Sequence, residues 1–148
     1  MASDLYEEDI VLWAEQQAER LRARIGGDNE LDYENLAEEI DTVGRTEARG
    51  AESLTEVILA HLLKIEFIGP AETVNHWKVE VKAARRGLAK YLSPTLNKRI
   101  PERLQDIYAD ALGEVTDNYE PDPPLPEACP YSWAEVRDRD WFPVSRFH

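Results

Sequence analysis

Residues 31–68, LDYENLAEEIDTVGRTEARGAESLTEVILAHLLKIEFI, hold no proline and carry apolar side chains at helical spacing. Leu36, Ile40, Val43, Leu54, Val57, Ile58, Leu62 and Ile65 recur with the period of a helix face, not with strand alternation. Asp32 is a good N-cap with Asn35 at N3, and Leu31 and Leu36 hold the positions of a hydrophobic staple. Gly69-Pro70 is the stop signal. A helix over 32–68 would run about 55 Å at roughly 1.5 Å per residue, and the rest of the chain has to pack around it.

Polar residues interrupt that seam. Seven-residue steps from Ile40 reach Glu47, Leu54, His61 and Ile68, and steps from Leu36 reach Val43, Gly50, Val57 and Lys64. Glu47, His61 and Lys64 therefore stand where the pattern asks for apolar side chains. They form either a site or a set of satisfied core groups: a hydrogen-bonded histidine, a buried ion pair and a lysine whose stem packs. Glu47 and His61 are 14 residues apart, about 21 Å along a straight helix, so they belong to different levels and cannot share a ligand. At the first level Glu47 would pair with Arg45, Arg49 or a neighbouring helix, close to Trp13; at the second His61 and Lys64 meet Trp77.

The flanking segments read as shorter helices. Residues 4–25 carry a stripe through Ile10, Trp13, Ala14, Leu21 and Ile25, ended by Gly26-Gly27. Counting outward from the short loop brings Trp13 level with Gly44, and counting outward from the 69–72 turn brings Lys64 level with Trp77. Residues 73–92 form the next helix. Ser93-Pro94 starts another over 94–118, which Pro101 should kink or restart. PDPPLPEACP at 121–130 is an extended strap, and Ser132 with Glu135 has capping-box spacing for a last helix over 132–138. The aromatic tail, with Trp141, Phe142 and Phe147, should dock on the domain or on another subunit. The expected fold is all-α: one domain over 1–148, an antiparallel bundle of four main helices with a proline-rich strap and a short C-terminal helix.

Charge narrows the function classes. A net charge of −13 disfavours nucleic acid and anionic membrane as partners, and no apolar run reaches the roughly 20 residues of a membrane span. The acidic start, MASDLYEED, lacks a secretory signal, and one cysteine, Cys129, excludes a disulfide framework, so a cytoplasmic location is expected. Residues 76–103 reverse the balance, with 8 basic against 2 acidic side chains, between two acidic flanks. Intramolecular complementarity is the cheapest explanation; a docking face for an anionic ligand or acidic partner is the functional one.

Three segments taken jointly point to a family: NLAEEI with GRTE behind it (35–40, 44–47), AHLLK (60–64), and LPEACPYSW with DWFP (125–133, 140–143). With Tyr6, Trp13, Glu15, Trp77, Arg85 and the SPTL at 93–96, the chain resembles the bacterial domain-of-unknown-function family number 29 over nearly its whole length. The resemblance implies a small all-helical bacterial domain without an established activity. It marks Glu38, Glu39, Arg45, Glu47, His61, Lys64, Trp77 and Arg85 as motif positions.

No catalytic constellation emerges. The Glu-x-x-His of di-iron bundles is missing, and Glu72 with His76 is a weak two-ligand pair. Glu38 and Glu39 diverge by about 100° on a helix, and no serine sits in a nucleophile elbow. No cofactor is expected. The expected role is a noncatalytic interaction module that binds a protein partner or itself, a homodimer being one form. The alternative is a small-molecule-binding, hydrolytic or transferase bundle using His61 or Glu47, with Arg45, Lys64, Trp77 and Arg85 as ligand or partner contacts.

Overall fold

The structure, a computed structural model, describes residues 2–147 and is all-α, with no strand among them. The helices are α1 (Ala2–Glu8), α2 (Ile10–Arg22), α3 (Tyr33–Leu63), α4 (Ala71–Tyr91), α5 (Pro94–Glu102), α6 (Leu104–Tyr119) and α7 (Trp133–Arg137). A π-helical turn, Lys64–Ile68, continues α3. The residues sort into two compact units. One comprises the chain up to Ala51 with Tyr91–Arg99; the other comprises Glu52–Lys90 with the residues from Ile100 on.

Local signals set most of the boundaries. Asp32 accepts the Asn35 N–H at 3.2 Å, Ser93 accepts the Leu96 N–H at 3.2 Å, and Ser132 and Glu135 form the expected capping box. Arg103, two residues beyond Pro101, leaves helical geometry, so the expected 94–118 helix restarts as α6. The expected 4–25 helix is two helices. Asp9 breaks it, because its carboxylate accepts the Leu12 N–H at 3.1 Å and caps α2. The same carboxylate, 4 % exposed, accepts the Thr95 N–H at 2.9 Å and the Thr95 hydroxyl at 2.7 Å, which ties α2 to α5. Burial alone would raise the Asp9 carboxyl; the bonds from Thr95, Leu12 and Ser93 outweigh it and hold the group below its usual range.

In the first unit the buried face of α3 differs from the expected stripe. Tyr33, Ala37, Gly44 and Ala51 are buried, whereas Leu36 and Val43 are each 39 % exposed. The reason lies in α2, which presents fully buried Ala14 and Ala18. Small residues on both helices allow a close approach, and the larger ones are left at its edges. Trp13 does not cover Gly44: its ring stands edge-on to Tyr6, centroids 4.9 Å apart, while Gly44 faces Ala14 and Val11.

The two mid-helix glycines of α3 are not equivalent. A Cβ at Gly44 would stand 3.6 Å from the Ala14 Cβ, an ordinary contact, while one at Gly50 would stand 2.6 Å from the Tyr91 ring. Gly44→Ala should therefore raise stability by about 0.5–1 kcal/mol through helix propensity. Gly50→Ala should lower it by about 1–3 kcal/mol through overpacking. Thermal unfolding of the two variants checks the opposite signs.

In the second unit most of the expected α3 stripe is buried, but Val57 is 37 % exposed and Leu54 is half-buried. Ile58, Leu62 and Ile65 of the α3 segment, Val81 and Leu88 of α4, and Ile107, Tyr108 and Val115 of α6 are all buried. The strap runs along α6: the Tyr108 hydroxyl donates to the Pro126 carbonyl at 2.5 Å, and Gln105 bonds both Glu127 and Cys129. The tail docks as expected, on this unit, with Phe147 against Gly69 and Ser145 donating to the Ile65 carbonyl at 2.9 Å.

Candidate functional site

The first level of the seam does not assemble. Arg45 donates to Glu38 at 3.0 Å and to Thr42 at 3.0 Å, so it does not pair with Glu47. Glu47 is half-buried.

The second level does assemble. The Lys64 ammonium lies 5.6 Å from the Trp77 ring centre and 5.9 Å from that of Tyr119, and the two rings stand edge to face. His61 Nδ1 lies 2.8 Å from the Val57 carbonyl. A carbonyl only accepts, so Nδ1 carries the proton and Nε2 is left as an acceptor. Burial lowers the His61 imidazole pKa, and the Lys64 charge lowers it further against the pull of Val57, Glu80 and Glu114. Burial likewise lowers the Lys64 ammonium, against Glu114 and Glu80. The result is a histidine bonded through Nδ1 to a backbone carbonyl, beside a lysine held against two rings. Glu72 and His76 do not converge as ligands, since His76 Nε2 turns to Glu80 at 3.9 Å. Among the described residues no group of three or more His, Cys, Asp or Glu side chains is arranged to hold a metal ion.

A second polar cluster lies where the helix ends. The π-turn opens at Lys64, whose carbonyl accepts the Gly69 N–H at 3.2 Å, and it turns Glu66 into the interior at 7 % exposure. Glu66 Oε1 accepts the Tyr131 hydroxyl at 2.9 Å, and Oε2 accepts from Arg146 Nε at 2.7 Å. The Arg146 N–H donates to the Glu66 carbonyl at 2.8 Å, so one residue receives the tail at both backbone and side chain. Burial raises the Tyr131 phenol, and the Glu66 charge and hydrogen bond raise it further; it stays a donor.

The third feature is the basic row of α4. Arg85, 5 % exposed, donates to the carbonyls of Val136 (2.8 Å), Trp141 (2.8 Å) and Glu135 (2.9 Å). Its guanidinium also lies 5.1 Å from the Phe142 ring centre, with Lys78 at 5.2 Å and Lys82 at 6.0 Å from the same ring. Beside it opens a cleft of about 550 Å³ lined by Lys82, Arg85, Arg86, Lys90, Arg139 and a single carboxylate, Asp140. Two basic residues of this segment past α4 are neutralised internally, Arg99 by Glu15 and Arg103 by Glu52. The cations that line the cleft are not: among the described residues Lys82, Arg86 and Lys90 of α4, with Arg139 beyond α7, form no salt bridge. Intramolecular complementarity therefore accounts for Arg99 and Arg103 but not for the cations around the cleft.

The model of a domain of unknown function, DUF29, matches residues 5–142. The chain belongs to the DUF29 family. A crystal structure of an alpha-helical protein of unknown function from Rhodospirillum rubrum is similar to it. The two are 28 % identical, with a TM-score of 0.78 over 91 % of this chain and 90 % of that one. No curated protein matches.

Within this DUF29 domain, Asp9 and Glu66 are the polar residues that sequence reasoning passed over. Asp9 reads as one more acid in a helix's first turn, and its partner Thr95 is 86 residues away. Glu66 carried a signal: it is the one carboxylate in the apolar run Ile65–Ile68, just before Gly69-Pro70. Its partners, 65 and 80 residues downstream, carry none.

Proposed function

We infer that the chain is a noncatalytic protein-interaction module, and that the α4 cleft is its docking face for an acidic polypeptide segment. The observation that carries this is four unneutralised cations around one cleft, on a chain whose net charge is −13. Such a charge disfavours an extended polyanion such as nucleic acid, because its long-range repulsion acts everywhere except at the cleft. A short acidic peptide needs only the cleft. Arg85 serves as scaffold, since its donors hold α7 and the tail, and Lys82, Arg86, Lys90 and Arg139 do the reading. In keeping with the family resemblance, we place this module in the bacterial cytoplasm.

The alternative, chemistry at His61 or Glu47, has less support. The Lys64 ammonium is already held against the Trp77 and Tyr119 rings, and the cleft with the free charge is lined by other residues.

Fluorescence anisotropy with a labelled oligoglutamate tests the reading. The wild type should bind it at low ionic strength and release it as salt rises. The Lys82→Glu/Arg86→Glu/Lys90→Glu variant, altered at exposed positions, should keep its fold by circular dichroism and lose binding at least tenfold, about 1.4 kcal/mol. Equal binding by both proteins, or tighter binding of a single-stranded oligonucleotide than of oligoglutamate, would overturn it.

A further inference from the structure

We propose that one acidic partner of the α4 face is a second copy of this chain, which docks through the outward face of α6. This rests on the reading of α4 as a docking face and names an occupant for it.

The charges match in sign and in repeat. Along α4, Lys78, Lys82, Arg86 and Lys90 recur every four residues. Along α6, Asp106, Asp110 and Glu114 do the same, and Asp117 falls on the same side. Four residues advance about 6 Å along a helix, so successive charges on two crossing helices meet in step. Asp106 stands 4.0 Å from Arg103, while Asp110, Glu114 and Asp117 form no salt bridge among the described residues.

The surfaces between the charges also fit. Val79, 62 % exposed, and exposed Ala83 lie among the α4 cations, about 100° to 140° round from Lys78. On α6 the equivalent strip is Ala109 and Gly113, both exposed and flanked by Asp106, Asp110 and Asp117. Gly113 has no intramolecular explanation. A Cβ built on it meets nothing within 4 Å, and its φ is not in the left-handed region. A mid-helix glycine with open space above it is a cost to the monomer that a closely approaching helix would justify. Val79 and Ala83 of another copy supply the apolar surface for that approach.

Two different faces are used, so the contact is heterologous: each copy keeps one free face, and assembly grows with concentration. Sedimentation velocity at an ionic strength of about 0.1 M, where the screening length is about 10 Å, tests this. Wild type should show a weight-average sedimentation coefficient that rises with concentration and falls on adding salt. Lys82→Glu/Arg86→Glu/Lys90→Glu and Asp106→Lys/Asp110→Lys/Asp117→Lys should each remain monomeric. An equimolar mixture of the two should associate where neither does alone, because the intact acidic face of one meets the intact basic face of the other and the two reversed faces are again opposite in charge. Gly113→Gln, a better helix former of unchanged charge, should raise the unfolding midpoint and reduce the association.

A monomeric wild type that still binds oligoglutamate would overturn self-docking and leave the acidic-partner reading intact. Loss of both would overturn both. Failure of the mixture to pair, or association undiminished in Gly113→Gln, would overturn the α6 assignment.

Discussion

Replacing Arg85 by methionine is expected to lower the unfolding free energy by about 3–5 kcal/mol, because three carbonyls lose a charged donor at roughly 1–3 kcal/mol each. Methionine keeps the length and the apolar packing but removes three donors at once. The carbonyls of Glu135 and Val136 belong to the last turn of α7, a helix too short to satisfy its own C-terminal acceptors. Trp141 loses its donor as well. Burial lowers the Arg85 pKa, opposed by Asp138 and Asp140, but a guanidinium stays charged throughout the ordinary pH range. Arg85→Lys should recover little, since one ammonium on a flexible stem cannot reproduce a planar fork aimed at three carbonyls. Urea unfolding followed by circular dichroism measures the loss. Tail aromatics that melt before the helices in the variant would locate it at α7 and the tail.

Glu66→Ala is the second large effect, expected at about 2–4 kcal/mol. The Tyr131 hydroxyl is left in the core without an acceptor, and a small void forms at the π-turn. The partners rank unequally. Tyr131→Phe removes one hydrogen bond and should cost about 1–2 kcal/mol, because Arg146 still satisfies part of the carboxylate. The Arg146 side chain is 69 % exposed, so Arg146→Ala should cost about 1 kcal/mol or less, most of it in tail docking. A double-mutant cycle over Glu66 and Tyr131 should show coupling; additive losses would mean that the bond contributes little.

What could be read from the residues divides by range. Capping and proline signals act within a turn, so Asp32, Ser93-Pro94, Pro101 and Ser132 with Glu135 placed their boundaries correctly. Lys64 with Trp77 was reachable because a tight turn joins their helices and levels can be counted outward. The same counting brought Trp13 within one residue of the right level at Gly44 but on the wrong face, since rotation about a helix axis depends on packing, and Ala14 and Ala18 decide it. The π-turn adds one residue to each ring of hydrogen bonds, and no composition rule marks it. Asp9 with Thr95, Glu66 with Tyr131 and Arg85 with α7 join residues 50 or more positions apart, which no local pattern encodes. The basic character of α4 was plain from the charges; that the cations around the cleft keep no salt bridge is a property of the folded chain.

On this reading α4 offers its cleft to carboxylates. The most direct measurement is a two-dimensional amide NMR titration of the wild type with an unlabelled acidic peptide. Shift changes should concentrate at Lys82, Arg86, Lys90 and Arg139 and fade with added salt, leaving His61, Lys64 and Trp77 unmoved. Changes centred on His61, Lys64 and Trp77, with the α4 cleft silent, would contradict it.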